Sequence, residues 1–474
     1  MTALHERPDP QHGADAPTPP SGSAPADTSE APAALSERIG VPRFDAVSVT
    51  VLFLAFAYLI PARYTFSPIG AAGRAGVLLG LAMLFWWCVT RAVPSMAHRT
   101  GNPVRRAALI FFVVFLMAYA GGLARALPFL EANGMDRALL ITASLVGVTL
   151  VVTDGVPDRG RLDHLLRRLV LLGSVMAAFG HIQFFLGTNL TENIRLPGMS
   201  LNREFFEVEA RNAFTRVNAT ATHPIEFGVL MGMLLPLALH YALHPPSARA
   251  RLPYWAMVGL IATAGPMSVS RSSVVAIGAG LLVVAMGWSR RQRRIALAIS
   301  VPAVLAFSSA VPGLLGTIRG LFTSWNSDSS IQYRTNDYDL VFEFVAERPL
   351  FGRGPGTFLP SRYFVLDNQY LMTLVTTGII GFLGLMLFAG TAALTAYRIR
   401  RRSTDPATRH LALALLGAFA AAAAASATYD SLALSYSIFS SVLFVLLGAV
   451  GALWRIEQPN LRPRHRRPRA PATP

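Results

Sequence analysis

The sequence predicts an all-α, polytopic membrane helix bundle of about 12 transmembrane helices with two long extracytoplasmic loops. Three observations predict it. Only 14% of the 474 residues are charged and 53% are hydrophobic, whereas soluble globular chains carry roughly 25% charged residues. The apolar residues gather in runs of about 17 to 25, the length at which a helix crosses a ~30 Å hydrocarbon core. The formal charge is +16, carried by arginine without a single lysine and concentrated between those runs.

Twelve apolar stretches begin near Phe44, Ala75, Ala107, Ala138, Leu169, Pro224, Tyr254, Ser272, Ile295, Asn368, Leu411 and Leu432. With the amino terminus inside, the connections 91–106, 159–168, 249–251, 290–294 and 398–409 and the carboxyl-terminal tail face the cytoplasm. These hold more than half of the arginines, and an arginine excess on the inner side sets orientation. The sequence thus describes a multi-pass protein of the plasma membrane with both termini cytoplasmic. Its positive charge meets the anionic lipids of the inner leaflet rather than nucleic acid.

Residues 1–43, rich in Pro, Ala, Ser and Asp, read as a disordered cytoplasmic tail, with no apolar core of a signal peptide. Residues 44–454 form the membrane domain, and 455–474 a basic, proline-broken disordered tail. The lone Cys88 excludes an internal disulfide and a zinc site built on several thiolates. No repeat of the kind that builds inverted-repeat transporters is visible.

The two long loops span about 188–223 and 313–367. Long connections in a bundle are functional or disordered, and the second has the pattern of an ordered one. Ser329 or Ser330 caps a helix running to about Glu347, with Tyr338, Val341 and Val345 on one face and Arg334 a turn earlier. Pro349 and the 352–356 run of alternating glycines end it. That run does not follow a strand or open a helix, so it is not a dinucleotide loop; glycines there suit a tight turn or close backbone approach.

Several residues near the loop ends can carry chemistry, each with a bland reading beside it. Arg271, in Ser270-Arg271-Ser272, sits at the outer interface between two apolar runs. It either snorkels or waits as a fixed cation for an anionic lipid-linked substrate, whose phosphate suits the guanidinium fork. Arg216 and His223 precede Pro224, a good first helical residue, with Glu226 near the positive helix end; capping and catalysis are both open for His223. Asp367 opens the tenth stretch as an N-cap or as a carboxylate that takes a proton from an incoming hydroxyl. Glu204, Glu207 and Glu209, interleaved with apolar residues, read as the solvated edge of an interfacial segment rather than a metal site. His181 and Gln183 read as satisfied bundle residues. No ligand cluster points to a metal, and no cofactor is expected.

These segments resemble the O-antigen ligase and polysaccharide polymerase superfamily over about 216–385. The resemblance rests on residues 216–224, on Ser270-Arg271-Ser272, and on Arg334 followed by Arg348-Pro349-Leu350-Phe351-Gly352-Arg353-Gly354. It is completed by Asp367-Asn368-Gln369-Tyr370-Leu371 with Gly378 and Gly381. It implies metal-independent transfer of a glycan from an undecaprenyl-diphosphate carrier to the hydroxyl of a glycan or another acceptor. Arg271 and Arg334 would hold the diphosphate, offsetting the charge that develops on it, and Asp367 would be the acceptor-side base. Arg216, His223, Arg353 and Asn368 would help bind substrate. The resembled ligases carry histidine where this chain has Asp367, so polymerase and ligase both remain open. A transporter or flippase of envelope glycans is the rival class, although transporters concentrate their polar features at the midplane rather than at one surface.

Overall fold

The computed structural model describes residues 45–62, 64–66, 73–93, 101–188, 190–193, 197–201, 210–211, 214–323, 329–432 and 437–461. The predicted tail at 1–43 and the Glu204, Glu207 and Glu209 cluster lie outside the described residues.

The described residues form α1 (Ala46–Leu59), α2 (Ala75–Ala92), α3 (Pro103–Leu123), α4 (Phe129–Gly155), α5 (Arg159–Leu186), α6 (Pro224–Leu243), α7 (Arg251–Met267), α8 (Arg271–Gly287) and α9 (Arg290–Ala310). After α10 (Leu314–Thr323) and α11 (Ser329–Glu347) follow α12 (Gln369–Arg402), α13 (Pro406–Ser426) and α14 (Ile438–Leu461). Each apolar stretch read from the sequence coincides with one helix. Nine helices among the described residues are long and apolar enough to cross a membrane. Helices α1, α7 and α8, with 14, 17 and 17 residues, reach only about 21 to 26 Å at ~1.5 Å per residue. The expected count of twelve crossings is therefore not met by length alone.

The helix ends differ from the apolar ends because polar turns continue a helix wherever their groups are satisfied. Helix α4 starts at Phe129, nine residues before the apolar stretch. Its first turn holds Glu131, 1% exposed, which is paired with Arg125 and Arg362 and accepts from the Tyr363 hydroxyl at 2.9 Å. Helix α14 runs on to Leu461, so the tail expected from residue 455 begins as helix. Arg455 there donates to the carbonyls of Thr153 and Val156 at the end of α4.

Helix α6 is the axis of the packing, with most of its length buried against α7, α8 and α13. Further pairs are α2 with α4, α12 with α3, and α14 with α4. Apolar burial drives little of this between helices in lipid, so close approach and interhelical hydrogen bonds matter. A Cβ on Gly417 of α13 would sit 3.0 Å from the Gly280 carbonyl oxygen of α8, so the two backbones nearly touch. Thr149 donates across to the Phe444 carbonyl at 2.9 Å. Helix α9 has no buried residue and stands outside this core.

The arginine-rich connections meet at one end of the bundle. Asp154 accepts from Trp87 at 2.9 Å, from Arg105 at 3.0 Å and from Arg91. Arg161 pairs with Asp45, the N-cap of α1. Arg159 pairs with Asp163 and reaches Thr408 at the start of α13, and Arg400 donates to the Gly287 carbonyl.

The second long loop is ordered as predicted over α11, which starts at Ser329 and ends at Glu347; α10 was not anticipated. Its buried face differs in one place. Val341 is buried with Phe344 and Val345 against it, but Tyr338 is exposed because the packed face begins only at Val341, one turn further along the helix.

The glycine run has a structural use. Helix α12 is broken at Gly378, whose φ of 67° and ψ of −173° are non-helical. The 349–356 turn splices into the break. Arg353 N and Gly354 N donate to the Val375 and Thr376 carbonyls at 3.0 Å each, while Ile379 N and Ile380 N donate to Pro349 and Leu350 at 2.8 and 3.2 Å. The turn therefore restores four backbone hydrogen bonds at the break. A Cβ on Gly378 would lie 2.3 Å from the Leu350 oxygen, so no other residue fits.

The first long loop contributes two small antiparallel ladders, Tyr64–Phe66 with Met199–Leu201 and Ala210–Arg211 with Phe214–Thr215. Hydrogen bonds from Ala62 N to the Thr220 carbonyl and from the Thr220 hydroxyl to the Tyr58 carbonyl then tie residues 216–223 to the end of α1.

Candidate active site

Opposite the arginine-rich end, four turns meet: 216–223 before α6, 268–271 between α7 and α8, 367–368 before α12, and 427–432 after α13. Arg216 Nε donates to the Ser268 carbonyl at 3.4 Å, and the Ser272 hydroxyl to the Thr428 carbonyl at 3.4 Å. Leu432 N donates to Gln369 Oε1 at 2.6 Å. Helices α6, α8 and α12 all begin here, so the positive ends of three helices converge on one place.

Two of these turns are strained. Ala219 has φ of 48° and Val269 φ of 46°, a left-handed conformation that is a genuine outlier for β-branched valine. Gln183 of α5 clamps the first by accepting from Ala219 N at 2.8 Å and donating to its carbonyl at 3.5 Å. Such strain persists only where the surroundings enforce it, and it clusters at functional sites. The two strained residues sit directly before the His223 and Arg271 helices.

His223 caps α6, its Nδ1 accepting from Ile225 N at 3.1 Å, which puts the ring proton on Nε2. Burial, and then the charge of Arg216, hold its pKa down at about 4, against the opposing pull of Asp367. Capping, the first of the two readings, is thus realised, with a neutral imidazole. Glu226, 0% exposed, accepts from Thr222 N and from the Thr222 hydroxyl. Its other oxygen accepts from Phe439 N at 3.2 Å in the first turn of α14.

The cap of α12 is Asn368, not Asp367. Asn368 Oδ1 accepts from Tyr370 N at 3.0 Å and Leu371 N at 3.2 Å, which releases Asp367 from the capping alternative. Asp367 instead lies within electrostatic reach of His223, Tyr429 and Asp430. Burial, and then the charge of Asp367, push the Asp430 carboxyl up to about 7. Its Oδ1 is buried without a hydrogen-bond partner among the described residues. Tyr429 is pushed well up by burial and by Glu226, Asp430 and Asp367, with a side-chain hydrogen bond to Thr222 working the other way.

Arg216, His223, Arg271, Asp367 and Asn368 are thus brought to one end of the bundle. Arg353 is occupied elsewhere in the second loop: it pairs with Glu347 at 2.6 Å, donates to the Tyr363 hydroxyl at 3.1 Å and lies over the Phe344 ring. Arg334 lies on α11, and its side chain is outside the described residues. Sequence reasoning missed Asp430 and Tyr429. The signal was present as a polar Tyr429-Asp430-Ser431 interruption, but the twelfth apolar stretch was drawn to start at Leu432, where the chain is still a turn. It also missed a group at the opposite end, His240, His244 and His410. His181 and Gln183 are satisfied as expected, His181 bonding Ala177 O and Thr263 Oγ1.

The chemistry available at the four turns is a cationic, dipole-lined end suited to an anionic group, beside Asp430, whose carboxyl burial and then the charge of Asp367 push up to about 7. Residues 256–386, from α7 through the 268–271 turn, the second loop and the first half of α12, match the family model described as O-Antigen ligase. No curated protein matches the chain.

Proposed function

We propose that this chain, a membrane protein of the O-antigen ligase superfamily by its residues 256–386, is a polysaccharide polymerase or ligase acting on a lipid-linked donor at the outer face. The observation that carries the reading is the meeting of Arg216 and Arg271 with the Asp367–Asp430 pair at the convergence of three helix N-termini. The donor is a glycan on undecaprenyl diphosphate, and the acceptor is the hydroxyl of a glycan or another molecule.

In the reaction, the acceptor oxygen forms a bond to the anomeric carbon while the bond from that carbon to the diphosphate oxygen breaks. The electron pair leaves with the diphosphate, and the acceptor's proton passes to the carboxylate pair. Arg271 and Arg334 hold the departing diphosphate, whose growing charge they and the helix ends offset. Asp367 is the base. Asp430 beside it, whose carboxyl burial and then the charge of Asp367 push up to about 7, is the partner that keeps its proton near neutrality, because two neighbouring carboxylates do not both ionise freely. A small apolar groove between α12, α13 and α14, lined by Leu385, Phe388, Phe419 and Phe444 with Gln369 and Tyr370 at its polar edge, offers an apolar surface on which part of the polyprenyl chain can lie. No step needs a metal ion.

The arginine-rich end faces the cytoplasm by the excess of positive charge there, which puts the four turns outside and both termini inside. Reconstituted protein supplied with undecaprenyl-diphosphate-linked oligosaccharide should lengthen or transfer the glycan in excess chelator. Movement of the lipid-linked sugar across the bilayer without transfer would overturn the reading in favour of a flippase. Glycan chain length in a deletion strain separates polymerase from ligase.

A further inference from the structure

The last turn of α6 and the first turn of α13 bring three histidines together at the arginine-rich end. His240 is buried, His244 and His410 are half-buried, and one ring nitrogen from each lies within 4.8 Å of the others. His240 Nδ1 and His410 Nδ1 are 3.2 Å apart. Two nitrogens held by one tetrahedral zinc ion at ~2.0–2.1 Å are about 3.3 Å apart, so these two already stand at ligand spacing. His244 Nδ1 donates to the His240 carbonyl at 3.3 Å, which leaves its Nε2 lone pair available; a backbone acceptor on the far nitrogen is how metal-bound histidines are oriented. His244 is the helix C-cap, with φ of −126° and ψ of 63°, and can pivot inward without unwinding α6.

We propose that His240, His244 and His410 bind one divalent transition-metal ion of the zinc type, far from the candidate active site. The separation follows from α6 itself, which runs from Pro224 at that site to Leu243 here, about 30 Å at ~1.5 Å per residue. Imidazole suits zinc, copper and nickel, not magnesium or calcium. The fourth position is left to water. The nearby guanidiniums oppose a cation less than their number implies. Arg159 is bound to Asp163 and Thr408, and Asp163 also accepts from the Tyr241 hydroxyl and faces Arg167 at 4.0 Å. Arg400, which donates to the Gly287 carbonyl, supplies the remaining repulsion.

Without metal, the rings form a directed chain. Trp288 Nε1 donates to His410 Nε2 at 3.1 Å, which puts the His410 proton on Nδ1, facing His240 Nδ1. A metal on His410 Nδ1 moves that proton to Nε2 and breaks the Trp288 hydrogen bond. Trp288 therefore reports the site. A bound ion joins the end of α6 to the start of α13, fixing two helices that also shape the opposite end.

The test uses full-length, untagged protein in detergent, with Zn²⁺ in equilibrium dialysis and Co²⁺ as a spectroscopic probe. Expected are one Zn²⁺ per chain with magnesium in excess, a tetrahedral Co²⁺ spectrum and a change in Trp288 fluorescence. His244→Gln should weaken binding at least tenfold and His410→Gln should abolish it. Trp288→Phe, which removes the competing hydrogen bond, should tighten it. His244→Gln, at a half-buried cap, keeps the test valid if His410→Gln fails to fold. Equal zinc stoichiometry and affinity in wild type and His244→Gln, or no zinc bound by wild type, would overturn the proposal. Glycan transfer in chelator is a separate readout and decides the reaction, not this site.

Discussion

The two ends of the bundle handle charge in opposite ways. At the arginine-rich end three acids are surrounded by donors: Asp154 by Trp87, Arg91 and Arg105, Asp163 by Arg159 and Tyr241, Asp45 by Arg161 and Ser48. At the other end carboxylate faces carboxylate, with Asp430 held at about 7 by burial and by Asp367. The backbone there is strained at Ala219 and Val269. The arginine-rich end spends its acids on holding helices together. At the four turns of the other end the Asp367–Asp430 pair and two backbone positions are kept in states that cost stability, whereas other acids of that end, such as Glu131 and Glu226, are satisfied. That contrast separates architecture from chemistry within one bundle, and it can be broken by substitution.

The largest effect should come from the carboxylate pair. Asp367→Asn and Asp430→Asn should each lower the transfer rate roughly a hundredfold or more with thermal unfolding unimpaired, since Asn368 holds the cap. Wild-type rates should rise as pH rises through about 7, where Asp430 ionises, and Asp430→Asn should remove that inflection. Stability should show the opposite sign. Asp430 keeps its proton in the folded state above the ordinary aspartate range, so folding loses stability as pH rises from about 4 to about 7. His223, held at about 4, acts against this, since its contribution is lost as pH falls from about 6.5 to about 4. A full transfer rate in both Asn variants would make the pair structural and erase the contrast.

At the arginine-rich end Asp154→Ala removes the acceptor shared by Trp87, Arg91 and Arg105, and breaking such a buried pair costs about 3 kcal/mol or more. Unfolding in detergent should show that loss while transfer per folded molecule stays normal. A specific loss of transfer instead would place chemistry at both ends. Next in size, Arg271→Lys and Arg334→Lys keep the charge but lose the fork, and should slow transfer on the order of ten- to a hundredfold at normal expression. Polymer made at the wild-type rate by both lysine variants would refute phosphate gripping. The smallest effect is expected from Val269→Gly, which accepts the φ of 46° without strain. It also empties the site of a fully buried valine, 0% exposed, a loss of about 2 kcal/mol that outweighs the strain relief of about 1 kcal/mol. The fold should therefore be slightly destabilised and transfer slowed by loosening Arg271; unchanged transfer would show that the strain is incidental.

Much of this was readable without coordinates, for local reasons. Apolar runs locate helices because the backbone in lipid must satisfy itself, and Ser329 to Glu347 was legible because capping and periodicity are local signals. The segments holding Arg216, His223, Arg271 and Asp367 stood out because polar residues at apolar helix ends are costly. Three things were decided only by the tertiary structure. Asn368 took the cap, because which of two adjacent polar residues turns inward depends on where the chain enters α12. The 349–356 turn filled the break at Gly378, a pairing between backbones that no side-chain pattern encodes. Asp430 met Asp367, and His410 met His240, from opposite ends of α13. A sequence specifies what each residue can do alone, whereas a shared proton or a shared metal ion needs two or three residues at one point, and only the packing of the helices puts them there.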